Sequence, residues 1–210
     1  MGWSRDGKRI VVAGGDNCVH VIDPIEGKEI WKGKDANSSP RAYRAIFCGE
    51  YIVSVGFARS LPLSIPKLTF RGSSRQICLF DQSKDSPVQK ITLDMSPAAL
   101  TPHYDDDTKS PPTSHQCPNN SILFLWSKGS RQVHAYHLTS SPPALQLLPT
   151  FDCADLQSAV TFLPKRLVDV EKVEILQGLR LTSANKIERF AFSIPRNRVL
   201  PPVLPQNLPS

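Results

Sequence analysis

The chain has 210 residues, 40% of them apolar, with 19 prolines, five cysteines and a formal net charge of +6. That length suits one domain with a packed core, and the absence of any run of about 18 apolar residues excludes a membrane-crossing helix. The prolines, at roughly twice the usual share, disfavour long helices and favour many short elements joined by turns.

The opening, "MGWSRDGKRI", has no long apolar stretch and is read as lacking a secretory signal. Residues 8–23, "KRIVVAGGDNCVHVID", place two β-branched runs around "GGDN", a hairpin signal, because Gly, Asn and Asp tolerate the positive φ of a tight turn. "DPIEGKEI" then turns the chain. "YRAIFCGEYIVSVGFARS" predicts two strands broken at Gly49 and Glu50, and "SSRQICLFD" a third. A third unit follows with "ALTPHYDDDTK", "SILFLWSKG" and "RQVHAYHL". A fourth has "SAVTFLPKR", "VEKVEILQGLRLT" and "KIERFAFSIPR". Only "VDVEKVEILQGL" could pass for a helix. Val168, Val170, Val173 and Ile175 are β-branched, so it reads as strand from Val168 onward.

Units of roughly 45–55 residues, each with apolar strands and a Gly/Asp turn, indicate repeated antiparallel sheets of the kind that form propeller blades. The expected fold is all-β: a partial WD40-type β-propeller, about four blades of a seven-bladed ring. Asp16 sits in the first tight turn, and Asp23 and Asp81 close strands. All three are expected to be buried structural acids bonded to nearby backbone amides.

Several stretches, in this order, resemble the coronin family of WD-repeat actin-binding proteins: "WSRDGKRIVVAGGDNCVHVIDP", "RAYRAIFCGEYIVSVGFARS" with "SSRQICLFD", "LDMSPAALTPHYDDDT", "KGSRQVHAYHL", "TFLPKRLVDVEKVEILQGLRLT" and "FSIPR". "PHYDDDT" and "LPKR…DV…EI" are more diagnostic than any WD-like dipeptide. The resemblance implies a cytoplasmic, cytoskeleton-associated protein. Its partners would be F-actin and, as for the family, the Arp2/3 complex and cofilin. It also implies that residues 1–198 form the later part of a coronin-like propeller, beginning inside a blade, with the earlier actin-contacting blades absent. The missing coiled coil brings the chain nearer the tandem-propeller coronins than the short ones. Residues 199–210, "VLPPVLPQNLPS", read as a Pro-rich disordered tail. Two blade faces would lack partners, and Ile10, Val12, Val19 and Val21 are expected to need a preceding blade.

Coronins run from a Gly-Phe-Ser-Arg-like turn directly into a Ser-x-Arg-Gln strand. Here Leu61 to Gly72 intervene, and removing them gives "GFARSSSRQICLFD". A surface excursion and a retained short intron both account for this, and the clean rejoining favours the second. A similar excess lies at 109–119, "KSPPTSHQCPN".

The motifs predict no enzyme, no catalytic residue, no metal and no cofactor. "GGD" is a hairpin turn rather than a phosphate loop. "DDD" at 105–107 offers three adjacent carboxylates pointing different ways, where Ca²⁺ needs a wrapped set of oxygens. His115 and Cys117 lack a second ligand pair, and His134 and His137 point to opposite faces of one strand. Cys18, Cys48, Cys78, Cys117 and Cys153 are odd in number and widely spaced, as free thiols in a reducing cytosol. No consecutive basic run suggests a nucleic-acid arm. Lys165, Arg166, Lys172, Arg180, Arg196 and Arg198 are the candidate actin-facing cations, weighed against ordinary solvated charges at strand ends. The alternative function is a WD40 scaffold or adaptor in membrane trafficking or ubiquitin ligation.

Deleting Leu61 to Gly72 is expected to leave the fold intact or raise the melting temperature, because ordering a long loop costs chain entropy. A fall of several degrees on deletion would show that the segment packs.

Overall fold

In the connection "SRDG" the side chains fold the turn locally. Ser4 Oγ donates to Asp6 Oδ1 at 2.6 Å and accepts from the Arg9 amide at 2.9 Å, while Gly7 takes a φ of 70° that a Cβ would oppose. "GGDNC" turns on Asn17 at φ 62°, with Asp16 Oδ1 accepting the Cys18 amide at 3.2 Å. Asp23 accepts the amides of Ile25 and Glu26 at 2.8 and 3.2 Å, and Asp81 accepts that of Ser83 at 3.0 Å. The three acids make the expected backbone bonds. They are not buried, however: Asp16 is exposed, and Asp23 and Asp81 are half-buried, because each sits at a strand end where solvent reaches the turn.

The computed structural model describes residues 1–37, 43–59, 73–105, 121–139, 142–169 and 171–193. The inserted segments 61–72 and 109–119, His115, Cys117, Arg196, Arg198 and the tail 199–210 lie outside the described residues. The strands between the turns form four sheets, each antiparallel and in chain order. The first holds β1 (Gly2–Trp3), β2 (Ile10–Ala13), β3 (Val19–Asp23) and β4 (Lys28–Gly33). The second holds β5 (Arg44–Cys48), β6 (Tyr51–Arg59), β7 (Ser73–Asp81) and β8 (Gln89–Thr92). The third holds β9 (Leu100–Asp105), β10 (Ser121–Ser127), β11 (Gln132–Leu138) and β12 (Leu145–Leu147), with β13 (Phe151–Asp152) also on β11. The fourth holds β14 (Gln157–Phe162), β15 (Glu174–Thr182) and β16 (Ile187–Ser193). The first strands of neighbouring sheets adjoin, β1 beside β5 and β5 beside β9, so the sheets fan out from a common inner edge. This is an all-β partial WD40-type propeller.

The strand expected from Val168 onward starts only at Glu174. Lys165–Leu167 form a 3₁₀ turn. Asp169 then accepts the amides of Glu171 and Lys172 at 3.1 and 3.3 Å, and its own amide donates to Glu174 Oε2 at 2.9 Å. Side-chain bonds to the backbone outcompete the β preference of the valines there.

Three apolar cores lie between the four sheets. Val11, Val19 and Val21 pack with Ala45, Ile52, Cys78 and Phe80. Val53, Val55, Ile77 and Leu79 pack on the second sheet's other face with Leu123, Leu125, Tyr136 and Leu145. Ile122, Phe124 and Val133 pack with Leu176 and Phe192. Val19 and Val21 are therefore fully buried against the second sheet, contrary to the expectation that they await another blade. Only Ile10 and Val12 turn the opposite way, because neighbours along a strand alternate faces.

Polar groups bridge each junction. Lys34 pairs with Asp85 at 2.7 Å and Lys90 with Asp35 at 2.5 Å between the first two sheets. Gln89 joins the second sheet to the third like a backbone unit: its Nε2 donates to the Leu145 carbonyl at 3.1 Å and its Oε1 accepts the Leu145 amide at 2.9 Å. Arg75, 3% exposed, is clamped by Asp94 and donates to Ser127 Oγ at 3.0 Å. Lys165 pairs with Asp105 at 2.5 Å between the third sheet and the fourth.

Phe124 is fully buried with its ring 4.7 Å from that of Phe192. Phe124→Ala is expected to cost about 3–5 kcal/mol in urea unfolding. Ile25→Ala, at a residue 90% exposed, is expected to change stability by less than about 0.5 kcal/mol.

Candidate interaction surface

The connections from first to second strand, Ser4–Arg9 in the first sheet and Gly49–Glu50 in the second, meet β9 around one hollow of about 820 Å³. Its wall combines Trp3, Arg5, Arg9, Phe47, His103 and Tyr104. The Arg9 guanidinium lies 5.5 Å from the Phe47 ring centre and donates to Gln82 Oε1 at 3.1 Å, so it is held in place before any contact. Trp3 is 59% exposed. His103 stacks on Phe162 at 4.0 Å, and burial lowers its pKa, which keeps the ring neutral near pH 7. A fixed cation beside exposed aromatic surface is the chemistry of a protein contact. The sequence signal for this wall is the close spacing of Trp3 with Arg5 and Arg9 in "WSRDGKR".

The candidate cations do not form one surface. Lys165 Nζ is taken up by Asp105 at 2.5 Å and by the Ile175 carbonyl at 2.5 Å. Arg180, with its side chain 10% exposed, pairs with its cross-strand partner Glu188 at 2.5 Å on the side toward the third sheet. Lys172 is well exposed and pairs with Asp169 at 2.9 Å. Arg166 is exposed in the 3₁₀ turn. Of the four described, Arg166 and Lys172 are the two exposed ones, both in the connection between β14 and β15.

A second polar cluster lies on the first sheet. His20 Nε2 meets Asp16 Oδ1 at 3.0 Å and its Nδ1 meets Glu29 Oε2 at 2.8 Å, while Lys32 Nζ meets Asp16 Oδ2 at 2.8 Å. The lysine first, then the histidine, hold the Asp16 carboxyl well below the usual carboxylate range. Burial disfavours the His20 imidazolium, but the bonds to Asp16 and Glu29 outweigh it and raise the pKa. Among the described residues no group of three or more His, Cys, Asp and Glu is placed to hold a metal ion. Burial pushes the Cys78 thiol up to about 12, which makes it a packing group rather than a nucleophile. Among the described residues no helix is long and apolar enough to cross a membrane.

Solved structures share this architecture. The WD40 domain of Toxoplasma gondii coronin matches with a TM-score of 0.73 at 19% identity, over 94% of this chain and 45% of that one. The WD40 domain of SCAP from fission yeast matches with a TM-score of 0.58 at 14% identity, over 92% of this chain and 39% of that one. The chain thus spans less than half the length of either. No protein-family model matches it. At these identities the likeness establishes the fold alone: part of a WD40-type β-propeller.

A neutral imidazole can donate from one nitrogen only, so His20 bonds both carboxylates as a donor only when protonated. A raised folded-state pKa means that its stabilisation is complete below the unfolded value of about 6.5 and is lost as pH rises through the folded value. Urea midpoints are expected to fall between pH 6 and pH 8 more steeply in the unaltered protein than in His20→Gln. Equal slopes would show that the cluster contributes nothing.

Proposed function

We propose that the chain is a coronin-like, actin-filament-binding propeller segment that acts in the cytoskeleton. The observation that carries the reading joins sequence and structure. The two stretches most diagnostic of coronins, "PHYDDDT" and "LPKR", lie 60 residues apart at their charged members, yet Asp105 and Lys165 form one ion pair across the third and fourth sheets. Features that mark the family in sequence thus serve one junction of the fold. The overlay on a coronin WD40 domain over 94% of the chain is consistent with this assignment. Arp2/3 and cofilin are the further partners proposed on the same resemblance.

Filaments are acidic, so exposed cations at strand ends would steer encounter and add modest, salt-sensitive affinity. In this reading Arg166 and Lys172 are the cations that contribute. Lys165 acts indirectly, by holding the connection that carries them.

Co-sedimentation with actin filaments tests the proposal. Binding is expected at low salt, about 50 mM, weaker than that of a complete coronin propeller, and lost as the Debye length shrinks toward about 8 Å at physiological ionic strength. The double variant Arg166→Glu, Lys172→Glu is expected to reduce the bound fraction at every salt concentration. No sedimentation at low salt would sink the actin reading and leave a propeller scaffold for other proteins. Tight, salt-insensitive binding would refute the role given to the cations.

A further inference from the structure

The junction between the third and fourth sheets holds an arginine nitrogen without an acceptor. Arg180 lies on the same face of β15 as Leu176, which packs against the third sheet, and the residue is 9% exposed. Its Nε and Nη2 both donate to Glu188 Oε2, at 2.8 and 2.5 Å. Its Nη1 is buried and has no hydrogen-bond partner. An unpaired buried donor on a charged group is costly, and folded proteins rarely keep one.

Besides Glu188, the Cys153 thiol meets this guanidinium. The backbone explains the approach. β13 pairs with β11, and the Cys153 amide continues that ladder by donating to the Arg131 carbonyl at 2.9 Å. Side chains alternate along this extension, so Cys153 shares the face of Phe151. Phe151 packs edge-on against Phe192 of β16, with ring centres 4.4 Å apart. Phe192 and Glu188 lie on one face of β16, so the segment that carries Cys153 is brought against the Arg180–Glu188 pair. Cys153 is free and half-buried, within reach of small solutes. A thiol sulfur is a weak acceptor and leaves Nη1 unsatisfied, whereas an anionic oxygen on that sulfur would be a strong one.

We propose that Cys153 is a peroxide-modification site, at which the sulfenate oxygen accepts the unpaired Nη1–H of Arg180. The thiolate attacks one oxygen of hydrogen peroxide. An S–O bond forms as the O–O bond breaks, and the released hydroxide takes up the thiol proton and leaves as water. Sulfur is oxidised by two electrons and the peroxide is reduced by two. The sulfenic acid then loses its proton to solvent, and its oxyanion completes the arginine's bonding. The modification ties the connection between β13 and β14 to the fourth sheet. The other described thiols offer no such site. Cys48 and Cys78 are fully buried. Cys18 is half-buried, but burial and then the Asp16 carboxylate raise its pKa.

Exposing the folded 210-residue chain to hydrogen peroxide with dimedone, which traps sulfenic acids, tests the site by peptide mass mapping. The adduct at Cys153 is expected to exceed that at Cys18 about tenfold. When catalase removes the peroxide before dimedone is added, the trappable fraction is expected to decay about tenfold faster in Arg180→Lys, which keeps a charge beside Glu188 but lacks the second arm of donors. The pair Arg180→Met with Glu188→Gln, which leaves no buried charge unpaired, is expected to hasten the decay in the same way. Circular dichroism shows whether each variant keeps its fold, and if neither does, the Cys153 to Cys18 ratio in the unaltered chain decides. Equal adducts at Cys153 and Cys18, or a decay that neither folded variant hastens, would overturn the proposal. Passage of Cys153 straight to the sulfonic acid, with nothing trapped, would overturn it as well.

Discussion

Face-to-face packing of sheets is the constraint on which the rest of this structure depends. In β6 and β7 successive residues serve different cores: Ile52, Cys78 and Phe80 face the first sheet, and Val53, Val55, Ile77 and Leu79 face the third. β10 does the same, with Leu123 and Leu125 on one side and Ile122 and Phe124 on the other. A slip of one residue in any of these strands would exchange the two sets and unmake both cores at once. Register in the middle sheets is therefore doubly determined. In the first and fourth sheets, among the described residues, one face contributes to such a core.

Burial on both faces imposes a second requirement: polar groups caught between sheets need partners from across the junction. Arg75 meets it through Asp94 and Ser127, and Gln89 through both backbone groups of Leu145. Such bonds add less to stability than the apolar cores, since pairing mostly offsets the cost of desolvation. Their directionality fixes how far one sheet can slide on the next. The Asp105–Lys165 pair performs this for the third junction and, in doing so, positions the connection that exposes Arg166 and Lys172.

This division explains where an interaction surface can arise. The sheets are committed to each other, so variable chemistry is confined to strand ends, connections and the concave inner wall. Arg9, held between Phe47 and Gln82 beside the exposed Trp3, is one such place, and the β14–β15 connection is another. A rigid frame with charged and aromatic groups at its edges suits binding to other macromolecules. The thiols of Cys48 and Cys78, both fully buried, are sealed away from solvent.

Sequence alone determined the sheet class and most inner strands. Alternating β-branched residues around "GGDN", "GE" and "KGSR" can satisfy their backbone only as hairpins, whatever surrounds them. The same signals missed β1, β4, β8, β12 and β13, short edge strands with little apolar alternation whose pairing depends on a neighbour already in place. They also extended a strand into Val168–Val173, where the Asp169 and Glu174 side chains capture the backbone. For the candidate cations, sequence determined that Lys165, Arg166, Lys172 and Arg180 carry charge. Only the tertiary structure decided which of them a partner can reach. Register brings Glu188 opposite Arg180, and sheet stacking brings Asp105 to Lys165 from 60 residues away, and neither approach is encoded in the residues beside the cation.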